Sequence, residues 1–201
     1  TVTYPGVHPR YRQAYSADQI QQIVRKYSLP DKYFLFIGTK QPRKNLDKLI
    51  QATGQLPNAN LVIVGKTWHQ FKNEKLKMQN AKLIFTGYIP DEDIPLLMLG
   101  SQALVLPSLY EGFGIPVAEA MAVGTPVIAS NVSSLPEVVG DTSILVDPTS
   151  VNSIAQGLRS VLSLSNPKRV QLTKAAQTRS RLFTWENCAQ KTLEVLHALA
   201  I

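Results

Sequence analysis

From residue 33 onward the chain alternates between two kinds of segment. Short, nearly all-apolar runs recur at Tyr33 to Ile37, Leu61 to Val64, Leu83 to Phe85, Ala103 to Leu106, Val127 to Ala129 and Ile144 to Val146. Runs this short and this apolar predict parallel strands covered on both faces. Helix-length segments lie between them. Leu46, Leu49, Ile50 and Thr53 mark one apolar face at 3.6-residue spacing. Pro95 to Leu99 predicts a short helix after the polar start Asp91-Glu92-Asp93, and Pro116 to Val123 another, closed by Gly124 at the C-cap. Ile154, Leu158, Val161 and Leu162 form a helical face near the end, and Trp185, Leu193, Leu196 and Leu199 form a last one. Strands alternating with helices predict a doubly wound α/β fold with a mainly parallel sheet of about six strands. Ligands of such sheets bind beyond the carboxyl ends of the strands. The loops after Ile37, Val64, Phe85 and Leu106 are therefore where chemistry is expected.

Composition narrows the class. The chain has 201 residues, 44% hydrophobic and 17% charged, which suits one large globular domain rather than a disordered chain. A single Cys excludes an internal disulfide framework, and Cys188, in the last helix, reads as a core residue. No apolar run reaches the roughly 18 residues of a spanning helix, and no charged-then-apolar leader opens the sequence. A cytoplasmic setting, possibly at the inner face of a membrane, is the expectation. The net charge of +7 favours anionic partners. The Lys and Arg residues are dispersed and carry no aromatic-basic stacking pattern, so nucleic acid is not expected. The densest basic patch, Lys72, Lys75, Lys77 and Lys82, reads as a solvated helix face, with a membrane surface as the minority alternative.

Two loops carry candidate chemistry. In Gly38-Thr39-Lys40-Gln41-Pro42-Arg43-Lys44-Asn45, Gly38 permits close backbone approach. Arg43 and Lys44 fall at a helix start, where the macrodipole disfavours cations. A bound phosphate would resolve that mismatch; two solvated cations are the plainer reading. The loop after Leu106, Glu111-Gly-Phe-Gly-Ile-Pro-Val-Ala-Glu119, puts one carboxylate in a loop and one on the following helix. Gly112 and Gly114 free backbone amides between them. Carboxylates accept hydrogen bonds from sugar hydroxyls, and the amides suit an oxyanion. The competing reading is helix-start charge complementing the dipole.

The spacing of Glu111 and Glu119 resembles the E-x7-E motif of family 4 retaining glycosyltransferases with the GT-B fold. The surrounding residues 107–130, the loop from Gly38 to Asn45, Phe85-Thr-Gly-Tyr-Ile-Pro and Phe183-Thr-Trp-Glu resemble that family too. The likeness runs over essentially the whole chain, from about residue 4 to 200. It implies a Rossmann-like domain, the C-terminal, donor-binding half of a GT-B enzyme. Tyr4-Pro5-Gly6-Val7 resembles the segment joining the two halves. Residues 1–15 are accordingly expected to be a hinge and 16–201 the nucleotide-sugar domain, with an N-terminal half carrying the acceptor pocket missing.

The resemblance also implies roles. Arg43 and Lys44 would bind the donor diphosphate, Glu119 the ribose hydroxyls, and Glu111 would face the transferred sugar. Backbone groups of Phe113, Gly114 and Ile115 would meet sugar or phosphate, and Tyr88 and Ile89 the nucleobase. Gly38, Thr39, Gly65, Lys66 and Gly112 would line the same cleft. Many members carry Arg directly after the first glycine; Thr39 and Lys40 stand here instead, which shifts the phosphate clamp onto Arg43 and Lys44. Glu111, Arg43 and Lys44 are the expected catalytic residues. The implied reaction transfers a hexose, with UDP-glucose or another UDP-hexose as donor, to a glycan or lipid-linked acceptor without a metal or other cofactor. Polysaccharide synthesis is the expected setting. Peripheral membrane association of a full-length enzyme is compatible with this, and one half alone is expected to bind donor without efficient transfer. A nucleotide-sugar epimerase and a non-catalytic nucleotide-sugar binding module are the alternatives.

Other local patterns lead elsewhere. Gly65-Lys66-Thr67 mimics the end of a P-loop, but Asn60 stands where its first glycine belongs. No G-x-G-x-x-G follows the first strand. His8, His69 and His197 show no ligand spacing, and Asp91-Glu92-Asp93 reads as a helix start rather than a metal motif. Asn131-Val-Ser is an acceptor sequon by pattern only. Trp185 reads as core packing.

Overall fold

A computed structural model describes residues 1–39, 41–65 and 81–199. Its centre is a six-stranded sheet, parallel throughout. The strands are β1 (Phe34–Ile37), β2 (Ala59–Val64), β3 (Ala81–Gly87), β4 (Ala103–Leu106), β5 (Val127–Ser130) and β6 (Ile144–Val146). The order is β3-β2-β1-β4-β5-β6, so the chain reverses direction across the sheet between β1 and β4. Phe34 lies opposite both Leu61 of β2 and Ala103 of β4. In β4 all four residues are buried, although neighbours point to opposite faces. Only a sheet covered on both sides does that. The edge strands differ: Leu145 of β6 is 40% exposed.

The helices are α1 (Ala17–Lys26), α2 (Leu46–Gly54), α3 (Ile94–Gly100), α4 (Ile115–Val123), α5 (Leu135–Val139), α6 (Val151–Leu162), α7 (Asn166–Ser180) and α8 (Trp185–Leu199). One covering group packs α2 on α6, and a second joins α1, α3, α4 and α7. Gly124 ends α4 in the left-handed conformation, as its position predicts.

The hydrophobic periodicity found every strand and the sheet class. It did not find α1, α5 or α7. α1 is mostly polar, with Ile23 and Val24 buried and a capping box from Ser16 and Gln19. α5 is one short turn-and-a-half. α7 is polar nearly all round and is held by tertiary bonds instead: the Arg169 guanidinium donates to the Gln102 carbonyl and Arg179 to the Val138 carbonyl.

Four expectations need correction. Leu162 is half-exposed although Ile154, Leu158 and Val161 of the same helix are buried. The apolar stripe of α8 exists but faces outward: Trp185 is 55% exposed and not a core residue, and no residue of α8 is buried. Periodicity identifies a face, and only packing decides whether that face is covered. Cys188 is only partly buried. Lys82 sits exposed on β3 rather than on a helix; Lys72, Lys75 and Lys77 fall outside the described residues, as do His69, Lys40, Lys66 and Thr67.

The opening residues pack closely on the domain. Val7 and Tyr11 are buried, and a short 3-10 turn spans Pro9–Arg12. The Val7 amide donates to the Phe183 carbonyl, and Arg12 donates to the carbonyls of Ser180 and Phe183. A Cβ on Gly6 would lie 2.3 Å from the Trp185 backbone nitrogen, so this crossing requires glycine.

Gly157, in the middle of α6, offers a test of the packing. Its Cβ would lie 2.6 Å from a Val146 methyl carbon. Alanine normally stabilises a helix interior by about 1 kcal/mol over glycine. Here the overpacking term is larger, so Gly157→Ala is expected to lower stability by roughly 1–2 kcal/mol in urea unfolding.

Candidate functional site

The carboxyl ends of β1, β2 and β3 open into a cleft of about 390 Å³. Its walls include Ile37 at the end of β1 with Gly38 and Thr39 after it, Val64 at the end of β2 with Gly65 after it, Tyr88, Ile89 and Asp91 between β3 and α3, and Ile94 at the start of α3. Glu119 reaches it from α4. The opening segment closes it with His8, Arg10 and Tyr11. Six residues expected from the sequence, Gly38, Thr39, Gly65, Tyr88, Ile89 and Glu119, therefore meet in one place.

Glu119 is the chemically distinctive member. It sits at the fifth position of α4, beyond the first turn, so it does not serve as helix-start charge. Burial raises its pKa to about 7; the negative Asp91 adds to the rise, while the nearby Tyr11 hydroxyl and the positive Arg10 oppose it. A carboxyl group poised between its two forms near neutrality, in a cleft, marks a candidate ligand contact.

Beside this cleft lies a second, ionic cluster. Arg43 and Lys44 occupy a 3-10 turn, Pro42–Lys44, just before α2. Their partner is Glu111: Lys44 Nζ lies 2.6 Å from Oε1 and Arg43 Nη1 lies 3.0 Å from Oε2. The Ser108 hydroxyl donates to Oε1 at 2.8 Å. The misplaced cations at the helix start thus have an anion supplied by the chain itself. Glu111 is 6% exposed. Burial alone would raise its pKa, but the bonds from Lys44, Ser108 and Arg43 prevail and hold it below the ordinary carboxylate range. The trio carries a net charge of +1, with Arg43 the more exposed cation. A Cβ on Gly38 would lie 3.8 Å from Lys44 Cδ, so the cleft and the cluster adjoin at that glycine.

Local structure holds both in place. Asn45 adopts the left-handed conformation at the start of α2, and its side-chain amide donates to the carbonyls of Pro107 and Pro148. That ties the start of α2 to the segments leaving β4 and β6. Ser133 accepts from the Glu111 amide, and the Ser134 hydroxyl donates to the Glu111 carbonyl. Gly114, at φ +92°, caps α4, and a Cβ there would lie 2.4 Å from a Leu135 methyl carbon. Gly112 opens onto free space and Ile115 is exposed. The Phe113 ring packs on Tyr4 and Phe183. These loop residues do not line the cleft.

His8, Arg10, Tyr11 and Asp91 are cleft residues that the sequence did not single out. Asp91 belonged to a stretch with helix-start chemistry, which masks a wall residue. The opening segment is turn-rich and reads as a connector. Tyr11, an aromatic two residues after a proline in an otherwise polar stretch, is the one signal that it packs. Among the described residues no group of three or more His, Cys, Asp and Glu side chains converges as a metal site, and no helix is long and apolar enough to cross a membrane.

A family model described as Glycosyl transferases group 1 matches residues 19–179. O-antigen chain mannosyltransferase B of Escherichia coli is 36% identical, over 88% of this chain and 49% of its own length. A GDP-mannose-dependent alpha-(1-6)-phosphatidylinositol dimannoside mannosyltransferase of Mycobacterium tuberculosis is 30% identical over 100% of this chain and 53% of its own. The chain thus spans about half the length of these curated relatives. Among solved structures, sucrose-phosphate synthase from Thermosynechococcus elongatus superposes with a TM-score of 0.80 at 27% identity, covering 97% of this chain and 51% of that one. HepE of Anabaena, solved in complex with UDP and glucose, shares the fold with a TM-score of 0.84 at 23% identity, over 98% and 57%.

The ionic cluster makes a pH prediction. A carboxylate whose pKa is depressed on folding stabilises the protein fully above its unfolded pKa, and that stability is lost as pH falls through the folded value. Stability should therefore drop below about pH 4.5, and Glu111→Gln should flatten that drop. At neutral pH, Lys44→Ala leaves a buried carboxylate with Arg43 and Ser108 only, and is expected to lower stability by up to about 3 kcal/mol in urea unfolding.

Proposed function

The chain belongs to the glycosyl transferases of group 1, and from that premise we propose that it forms the donor-binding part of a retaining, family 4-type hexosyltransferase. The observation that carries this reading is Glu119. It is a partly buried carboxyl group lining a cleft beyond the carboxyl ends of β1 to β3. Such a group accepts hydrogen bonds from two vicinal hydroxyls, as a ribose presents them. The adjoining Arg43, Lys44 and Glu111 cluster, net positive, would receive the diphosphate.

In the reaction, an acceptor hydroxyl bonds to the anomeric carbon as that carbon's bond to the diphosphate oxygen breaks. The electron pair leaves with the diphosphate, and the hydroxyl proton passes to its departing oxygen on the same face of the sugar. Charge grows on the leaving group. In this reading Arg43, Lys44 and the first amides of α4 stabilise it, in place of a metal. Glu111, engaged by both cations, acts by holding them rather than as a nucleophile. The acceptor would be a glycan or lipid-linked sugar.

For the donor, the mannosyltransferase names of the relatives favour GDP-mannose over the UDP-hexose expected from the sequence. Asp91 supports the same choice. A carboxylate beside Tyr88 and Ile89 can accept both the ring N–H and the amino N–H of guanine, whereas uracil offers a single N–H. A UDP-hexose is the second reading, favoured by the fold shared with the UDP- and glucose-bound structure.

Calorimetric titration with GDP, GDP-mannose, UDP and UDP-glucose tests both. The GDP ligands should bind preferentially. Glu119→Gln should weaken binding about tenfold, the size of one charge-assisted hydrogen bond, and Asp91→Asn should erase the preference for GDP while sparing UDP. A preference for UDP-glucose would establish the second reading. Absence of binding by all four would overturn the assignment of the cleft.

A further inference from the structure

Arg10 lines the cleft from the turn Pro9–Arg12, which packs against α4. Its polar atoms are tied down except at the end of the side chain. The amide donates to His8 Nδ1 at 3.1 Å, and Nε donates to the same nitrogen at 3.0 Å. The carbonyl accepts from the Tyr15 hydroxyl at 2.9 Å. The two Nη groups have no hydrogen-bond or ion-pair partner among the described residues. A solvated arginine keeps its rotamer freedom; this one, half-buried and braced at Nε, has given it up and presents the outer edge of a fixed plane. Asp91 lines the same cleft from the connection between β3 and α3, and it too forms no ion pair among the described residues. The cleft thus holds a guanidinium and a carboxylate that do not neutralise each other.

We infer that Arg10 determines base specificity in this cleft: its two Nη groups donate to O6 and N7 of a guanine while Asp91 accepts from N1–H and the 2-amino group. Guanine carries two acceptors on one edge and two donors on the next, so it needs a guanidinium and a carboxylate that stand apart, as these do. Uracil offers Arg10 one carbonyl in place of the acceptor pair. Adenine turns an amino group toward it, donor against donor. The two contacts act together, since a base that Asp91 does not seat fails to bring O6 and N7 to Arg10. His8 is the positioning residue for this arrangement, because its Nδ1 fixes both the backbone and the guanidinium plane of Arg10. The inference rests on the reading of the cleft as a nucleotide-sugar site with Asp91 against guanine.

The test is calorimetric titration of the full chain with GDP, UDP and 7-deaza-GDP, in which a C–H group replaces N7. The wild type should bind 7-deaza-GDP about fivefold more weakly than GDP. Arg10→Met keeps the apolar stem; it should weaken GDP about tenfold, bind GDP and 7-deaza-GDP alike, and leave UDP unchanged. His8→Ala frees the guanidinium and should weaken GDP about threefold. His8→Asn, whose side-chain oxygen accepts at the same place, should restore it. Equal wild-type affinity for GDP and 7-deaza-GDP overturns the inference, however the variants fold. So does an Arg10→Met protein that loses GDP affinity but keeps the wild-type ratio between the two ligands. A GDP preference that Asp91→Asn removes and Arg10→Met does not touch overturns the role of Arg10 and leaves the guanine reading standing. A wild-type preference for UDP overturns the guanine reading itself, and the role of Arg10 with it.

Discussion

The pairing of Glu111 with Lys44 and Arg43 is the constraint on which the site geometry depends. A carboxylate 6% exposed is tolerated only with its charge matched and its lone pairs occupied. Here two cations and the Ser108 hydroxyl do this. The partners come from different loops, one after β1 and one after β4, the two strands between which the sheet order reverses. A crevice opens at such a reversal because the connections on either side turn to opposite faces. The ion pair draws its two lips together, and Asn45 repeats the tie with neutral hydrogen bonds to Pro107 and Pro148.

Two carboxylates eight positions apart are driven to opposite electrostatic states by these surroundings. Glu111, among cations, is held ionised. Glu119, partly buried beside Asp91 with Tyr11 and Arg10 in support, is left near its midpoint at neutral pH. The first is committed to internal structure and the second keeps its capacity for a ligand. The same arithmetic separates the ionic cluster from the cleft wall that carries Glu119, although the two adjoin at Gly38.

Much of this was legible in the sequence. The apolar runs named every strand because a doubly covered strand has no polar face to disguise it. The loop from Glu111 to Glu119 announced itself through glycines, a proline and two carboxylates in an order that allows few other conformations. Elements held by tertiary bonds escaped. The polar α7 has no apolar stripe to detect, and Tyr11 carries its meaning only beside a residue more than a hundred positions away. The outward stripe of Trp185, Leu193, Leu196 and Leu199 shows the converse, a pattern that predicted a helix correctly and its burial wrongly.

Local periodicity and turn chemistry thus determined which segments are strands, which loops can approach an anion, and the fold class they build, since those depend on interactions within a few residues. The tertiary structure alone decided the pairing of Glu111 with Lys44, the raised pKa of Glu119 and the entry of Tyr11 and Asp91 into the cleft. Charge state and burial depend on what the fold brings within a few ångströms, and in a parallel sheet those neighbours come from distant parts of the chain.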